Sequence, residues 1–343
     1  MIDPPASAFG VPFTLNPQAT QLDIPWPPGL SMDDAASERN ITWMRRFDLF
    51  ALLRHPAGEK VYRYWRGPEL AARFFPSATG PDLDIGMDVM SIIFAADDLF
   101  EPSDLDPDQV HDQIQEPLQA LHQPSRCWKS PLAAALADVW KRERDGMSAS
   151  WRERAMQNWQ EYLHGLIQEA QNKSQRKTLS VEQYLQLRRT QGAMPILLDA
   201  AERVDRAELP PIALDCTQFD ELRHLCGRIG DTVNDVFSWA KEDALGDPHC
   251  LILVLERTRN LTRPEAIDAA ADIIRNWTDE FLTLTAQLPA ALDDRQLFDH
   301  GSRQTVWTHV RSMQTMMRAC YDWCRTSPRY HITAPGPQRS EQP

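Results

Sequence analysis

The stretch Asn234-Asp235-Val236-Phe237-Ser238-Trp239-Ala240-Lys241-Glu242 decides how this chain reads. It closes Thr217–Glu242, a segment whose apolar spacing predicts one long helix. Asn234, Ser238 and Glu242 stand at i, i+4 and i+8. Each four-residue helical step turns about 400°, so the three drift by only about 40° per step and form one stripe roughly 12 Å long. A short Ser between two longer side chains lets three oxygens converge on one hard cation. Lys241 adds a positive charge beside them. The same stripe, met alone, would also serve as the polar face of an ordinary amphipathic helix.

Working outward, a second oxygen cluster ends another helix. Asp82–Phe100 is apolar on most sides, which predicts burial, and it runs into Asp97-Asp98-Leu99-Phe100-Glu101. Asp97 and Glu101 share a face, while Asp98 is rotated by about 100°. Acidic clusters alone are commonly solvated faces. Here three carboxylates follow the apolar run Ile92-Ile93-Phe94-Ala95-Ala96. Oxygen-only donors suit Mg²⁺, whose shell is usually completed by water and substrate phosphates. Two such clusters facing each other across a bundle could hold several Mg²⁺ ions and a diphosphate. The metals would neutralise the anion, orient it and make it a leaving group.

The rest of the chain reads as helices. Asp33–Arg54, Pro68–Phe75, the region Pro107–Lys173, Val181–Glu202 with a break around Gly192 and Pro195, Pro264–Leu288 and Gly301–Cys324 all carry helical apolar spacing. No alternating β pattern and no repeat is present. The expectation is an all-α, single-domain bundle of about ten or more helices over residues 31–333, around an apolar cavity. Residues 1–30 form a Pro-rich arm, and the polar tail 334–343 is expected to be disordered.

Composition narrows the function. The 343 residues carry 36 Lys and Arg against 49 Asp and Glu, a formal charge of −13. Phosphate backbones repel such a chain, so nucleic acid and anionic membrane surfaces are unexpected partners. An anionic substrate would have to arrive with metal. No stretch nears the ~20 apolar residues of a membrane span, and no signal-peptide pattern is visible. The 6 scattered cysteines read as reduced thiols, which fits a cytoplasmic protein. Cys320 and Cys324, at i, i+4, read as packing residues. There is no phosphate-binding Gly-rich loop, no His/Glu zinc motif and no nucleophile elbow.

These motifs resemble those of the bacterial class I terpene synthases. Asp97–Glu101 is similar to the family's aspartate-rich motif in a shorter form ending in Glu. Asn234–Glu242 matches the Asn/Ser/Glu motif, including Lys241 before the Glu. Arg188, 46 residues before Asn234, stands where the family carries its diphosphate-sensing Arg, with Arg189 as an adjacent competitor. Gly192 falls in the family's helix break, whose carbonyl is thought to assist ionisation. Arg329-Tyr330 resembles the C-terminal pair that binds diphosphate and closes the site, and Pro328 places it just past the last helix.

The resemblance implies an all-α terpenoid-synthase fold and a linear isoprenoid diphosphate substrate, by default farnesyl diphosphate, with geranylgeranyl diphosphate as the alternative. It implies three Mg²⁺ held by Asp97, Glu101, Asn234, Ser238 and Glu242, and diphosphate contacts from Arg188, Lys241, Arg329 and Tyr330. Asp98 is expected to pair with Arg329 rather than bind metal. An allylic cation must be kept from bulk water and can be stabilised by aromatic faces. Phe94, one turn before Asp97, and Trp307 and Trp323 on the last helix are the candidates. Relatives are often dimers, which leaves a homodimer open. A chain-elongating prenyl diphosphate synthase would carry a second Asp-rich motif in place of Asn234, Ser238 and Glu242. A non-catalytic helical relative is the other competing reading, and failure to bind Mg²⁺ with diphosphate would revive it.

Overall fold

A computed structural model describes residues 22–31, 34–53, 58–101, 105–296 and 299–330. Among these residues every regular element is helical. The tail 334–343 and residues 1–21 of the arm lie outside them. The described part of the arm, residues 22–31, is irregular but packed. Leu22, Ile24 and Trp26 are buried, and Arg318 donates to the carbonyls of Ile24 and Trp26 at 3.1 Å each.

The helices follow the chain as α1 (Asp34–Arg46), α2 (Gly58–Trp65), α3 (Gly67–Phe74), α4 (Gly80–Phe100), α5 (Pro107–His122), α6 (Pro131–Glu143), α7 (Ala149–Ser174), α8 (Val181–Gln191), α9 (Met194–Val204), α10 (Pro211–Leu214), α11 (Thr217–Leu245), α12 (Leu251–Arg259), α13 (Arg263–Asp294) and α14 (His300–Thr326). Local chemistry fixes many boundaries. Ser148 caps α7 by accepting from the Trp151 N–H, and Ser180 with Gln183 forms a capping box at the start of α8. Gly246, at φ 69°, ends α11 four residues past Glu242.

Two boundaries differ from expectation. The helix expected over Asp33–Arg54 ends at Arg46, because Asp48 turns left-handed at φ 53° and Leu49–Ala51 form a 3-10 turn. The helix expected to stop at Leu288 runs through Pro289 to Asp294. Pro289 is on an exposed face, where water can take the carbonyl that loses its N–H partner. The short helices α2, α10 and α12 were not separately legible.

α4 is the central element. It is buried along most of its length and packs on α1, α3, α6 and α9. α11 packs on α13 and α14. One continuous apolar core spans both groups, from Leu22 to Tyr330. None of the described helices is long and apolar enough to cross a membrane.

Candidate active site

A cavity of ≈ 170 Å³ opens where α4, α7, α8, α9, α11 and α14 converge. Its wall includes Asp97 and Glu101 from α4, Arg188 and Gly192 at the end of α8, and Asn234, Lys241 and Glu242 from α11. Arg329 and Tyr330, in a 3-10 turn after α14, complete it. Asp97 and Arg329, 232 positions apart, therefore share one space.

The α4 carboxylates are held by cations from the far end of the chain. Arg329 Nη2 donates to Asp97 Oδ2 at 2.9 Å and to Asp98 Oδ1 at 2.7 Å. Asp98 is buried, whereas the Asp97 side chain keeps 55% of its surface accessible. The Arg329 guanidinium is also stacked over Trp65 at 4.5 Å and Phe94 at 5.3 Å. Lys241 bridges the two motifs: its ammonium contacts Glu101 and stands 3.5 Å from Glu242. Burial alone would lower the Lys241 pKa, but Glu101 and Glu242 hold it protonated. Burial pushes the Glu242 carboxyl up to about 8 against the pull of Lys241, and raises Glu101 as well.

On α11, Asn234 donates to the Tyr330 hydroxyl at 2.7 Å, tying the first residue of its stripe to the C-terminal pair. Ser238 is buried between Asn234 and Glu242 but is not part of the cavity wall. Phe94 and Trp323 are in the wall, with ring centroids 5.6 Å apart, and Trp323 meets Tyr330 edge-on. Trp307 is corrected: it is half-buried and absent from the wall. It lies 16 residues before Trp323 on the same helix, a rise of about 24 Å, too far to face the same space.

Arg188 and Arg189 separate clearly. Arg188 Nη2 donates to Asp235 Oδ1 at 2.7 Å and approaches Asn234 Oδ1 at 3.4 Å. Arg189 meets His224 at 2.7 Å outside the cavity wall. Gly192 adopts an ordinary φ of −65°, so its backbone angle does not demand glycine. Space does: an added Cβ would lie 2.5 Å from both the Arg188 carbonyl oxygen and Asp231 Oδ2.

Several functional neighbours were missed by sequence reasoning. Asp235, inside the quoted motif, anchors Arg188, accepts from the Tyr184 hydroxyl at 2.6 Å and from the Leu251 N–H at 3.0 Å. Its place directly after Asn234, about 100° further round the helix and so beside the stripe, was the available signal. Glu169, Asp247 and His249 form a buried cluster whose ligand-type atoms lie within 4.8 Å of one another. The Lys173 ammonium sits 2.6 Å from both carboxylates and donates to the Glu101 carbonyl at 2.8 Å. Burial would raise the Asp247 carboxyl, but Lys173 and His249 together keep it well below the usual carboxylate range. Lys173 thus ties the end of α4 to the turn after α11. All six cysteines are free, and Cys320 and Cys324 are in the cavity wall.

An all-helical fold with opposed oxygen clusters on one cavity that has aromatic side chains in its wall defines a class I terpenoid synthase architecture. The C-terminal metal-binding region of terpene synthase family 2 matches residues 88–280. Pentalenene synthase of Streptomyces avermitilis is 33% identical over 320 residues, 92% of this chain and 94% of that protein. A (−)-β-caryophyllene synthase of Saccharothrix espanaensis, named as cyclising (2E,6E)-farnesyl diphosphate, is 34% identical over 92% of this chain and 90% of its own. The crystal structure of linalool/nerolidol synthase from Streptomyces clavuligerus superposes with a TM-score of 0.79 at 26% identity, over 89% of this chain and all of that one. The chain belongs to the bacterial class I terpene synthases, a metal-binding family of lyases acting on prenyl diphosphates.

Proposed function

We propose that this enzyme converts farnesyl diphosphate to a cyclic sesquiterpene and free diphosphate, with three Mg²⁺ ions. What carries the reading is the opposition of two oxygen clusters across one cavity with cations on three sides: Arg188, Lys241 and Arg329. Farnesyl diphosphate is preferred because a relative with near-complete coverage is named for cyclising it.

The donor set fits Mg²⁺. Asp97, Glu101, Asn234, Ser238 and Glu242 offer only oxygen at the ligating positions, and Asp97 is the most accessible of the α4 carboxylates named here. Bound Mg²⁺ would neutralise the diphosphate and stabilise its charge as it leaves. Arg329 and Lys241 now spend their charge on Asp97, Asp98, Glu101 and Glu242. With metal on Asp97, Glu101 and Glu242, both cations can turn to the diphosphate oxygens. Asp98 keeps Arg329 in place, and Asp235 aims Arg188. Tyr330, held by Asn234, closes the cavity on the Arg329 side. When the allylic C–O bond breaks, its electron pair leaves with the diphosphate, and Phe94 and Trp323 present faces that stabilise the cation without trapping it. The carbonyl of Gly192, at the α8–α9 break, is available to the developing charge.

The test incubates the protein with geranyl, farnesyl and geranylgeranyl diphosphate separately, with Mg²⁺ or with chelator, and analyses the extract by gas chromatography–mass spectrometry. A Mg²⁺-dependent C15 cyclic product from farnesyl diphosphate is expected. A C20 product would move the substrate to geranylgeranyl diphosphate. Diphosphate binding without product would make the protein a degenerate relative.

A further inference from the structure

The reaction cavity has a neighbour. A second pocket of ≈ 360 Å³ has a mixed wall, in which Leu185, Pro195 and Trp277 stand beside Arg189, Arg223, His224 and Arg228. Arg188, Met194 and Asp231 belong to the walls of both spaces and so form the partition between them. Asp231 stands one turn before Asn234 on α11, with its carboxylate pressed against Gly192.

Two polar groups in this partition lack partners. The Asp231 carboxylate accepts no hydrogen bond from the described residues. Its neighbour Asp235, one turn on, accepts three from Tyr184, Arg188 and Leu251. The Arg188 Nε–H is buried and donates to nothing among them. Burial pushes the Asp231 carboxyl up to about 7, opposed by the charge of Arg188. An acceptor and a donor left unsatisfied beside a roomy space that carries further polar side chains are the conditions for one ordered water. Met194, long and unbranched, is the flexible member of the partition.

We propose that Asp231 and Arg188 hold a water supplied from the second pocket, and that Asp231 is the base that delivers it to the final carbocation, so that the product is a terpene alcohol. A lone pair of that water forms the new C–O bond. One O–H bond breaks and its proton passes to the Asp231 carboxylate. The allylic C–O pair has already left with diphosphate, so substrate plus water gives alcohol plus diphosphate without any redox change. The inference rests on the cyclase reading above and adds how the cation is quenched.

The experiment runs the full-length wild-type enzyme with farnesyl diphosphate and Mg²⁺ in ¹⁸O-labelled water, followed by mass spectrometry and a diphosphate-release assay. The expected product is an alcohol carrying one solvent oxygen. In Asp231→Asn the alcohol fraction should fall at least about tenfold in favour of alkenes, the loss expected when a positioned base is removed, while diphosphate is still released at a reduced rate. A wild-type hydrocarbon product overturns the proposal and leaves the cyclase reading standing. So does an alcohol fraction unchanged in Asp231→Asn, or a variant that folds but releases no diphosphate, since Asp231 would then act only through Arg188. The wild-type labelling arm decides the matter if the variant does not fold. No product and no diphosphate release from wild type would overturn the cyclase reading, and this inference with it.

Discussion

Two acidic regions of α4, about two and a half turns apart, are built for opposite ends. Asp88 is buried and has both oxygens bonded from nearby helices: Asn40 donates to Oδ1 at 2.9 Å and Arg142 to Oδ2 at 2.8 Å. Asn40 also reaches Ser91, which meets the Tyr62 hydroxyl at 3.0 Å. Its partners come from α1 and α6, and burial raises its pKa to about 7. Asp97, Asp98 and Glu101 instead face cations from α11 and the C-terminal turn, and Asp97 keeps much of its surface open to the cavity. A carboxylate buried away from any cavity, with both oxygens hydrogen-bonded, stabilises a fold. One whose open surface faces a cavity can exchange its partner for metal.

The largest effect should come from the cavity side. Glu242→Ala or Asn234→Ala should lower turnover by about a thousandfold or more, since metal and diphosphate charge stabilisation is lost. Circular dichroism should stay that of wild type. Turnover near wild type would remove α11 from the metal site. Next, Arg188→Ala should slow diphosphate release by about a hundredfold, the scale of one lost donor to a developing anion. Arg189→Ala should change it less than about twofold, because surface substitutions away from such features are usually small. The reverse order would mean that the sensor is Arg189.

On the structural side, Asp88→Ala should cost about 2–3 kcal/mol of unfolding free energy, by leaving Asn40 and Arg142 without their acceptor. Its turnover per folded molecule should be kept. A variant with an unchanged Tm and lost turnover would break the contrast between the two regions. The smallest effect per pH unit concerns Glu143, buried beside Trp159 and pushed up to about 8 by desolvation. A folded carboxyl raised above its unfolded value binds an extra proton between the two. Its contribution is therefore full below about pH 4.5 and is lost as pH rises towards 8. Glu143→Gln should flatten the fall of unfolding free energy over that range, by about 1.4 kcal/mol per pH unit at most. An unchanged slope would show that Glu143 is ionised at neutral pH.

Much of the fold was legible because its signals are local. The period of α4 and α11, the Asn234–Ser238–Glu242 stripe and the interruption at Gly192 each depend on residues within a few turns. The sites that escaped depend on distant packing. Lys173 is an unremarkable lysine in sequence, yet it is almost fully buried between Glu169 and Asp247. Trp307 and Trp323 carry the same residue type on one helix, and only the direction in which α14 crosses the bundle separates the cavity wall from the periphery.

By itself, the amino-acid sequence determined the helical class, the two oxygen-bearing helices, the acidic charge that makes a polyanion dependent on metal, and the family. Tertiary structure alone decided which cation meets which carboxylate. Arg329 and Asp97 lie 232 residues apart, and Arg188 and Asp235 lie 47 apart. It also decided that Gly192 is required by the space beside Asp231 rather than by its backbone angle, and that Asp231 lies between two cavities. Helical period and capping are written in neighbours along the chain. Electrostatic pairing and cavity walls arise only where segments far apart in sequence are brought within a few ångströms.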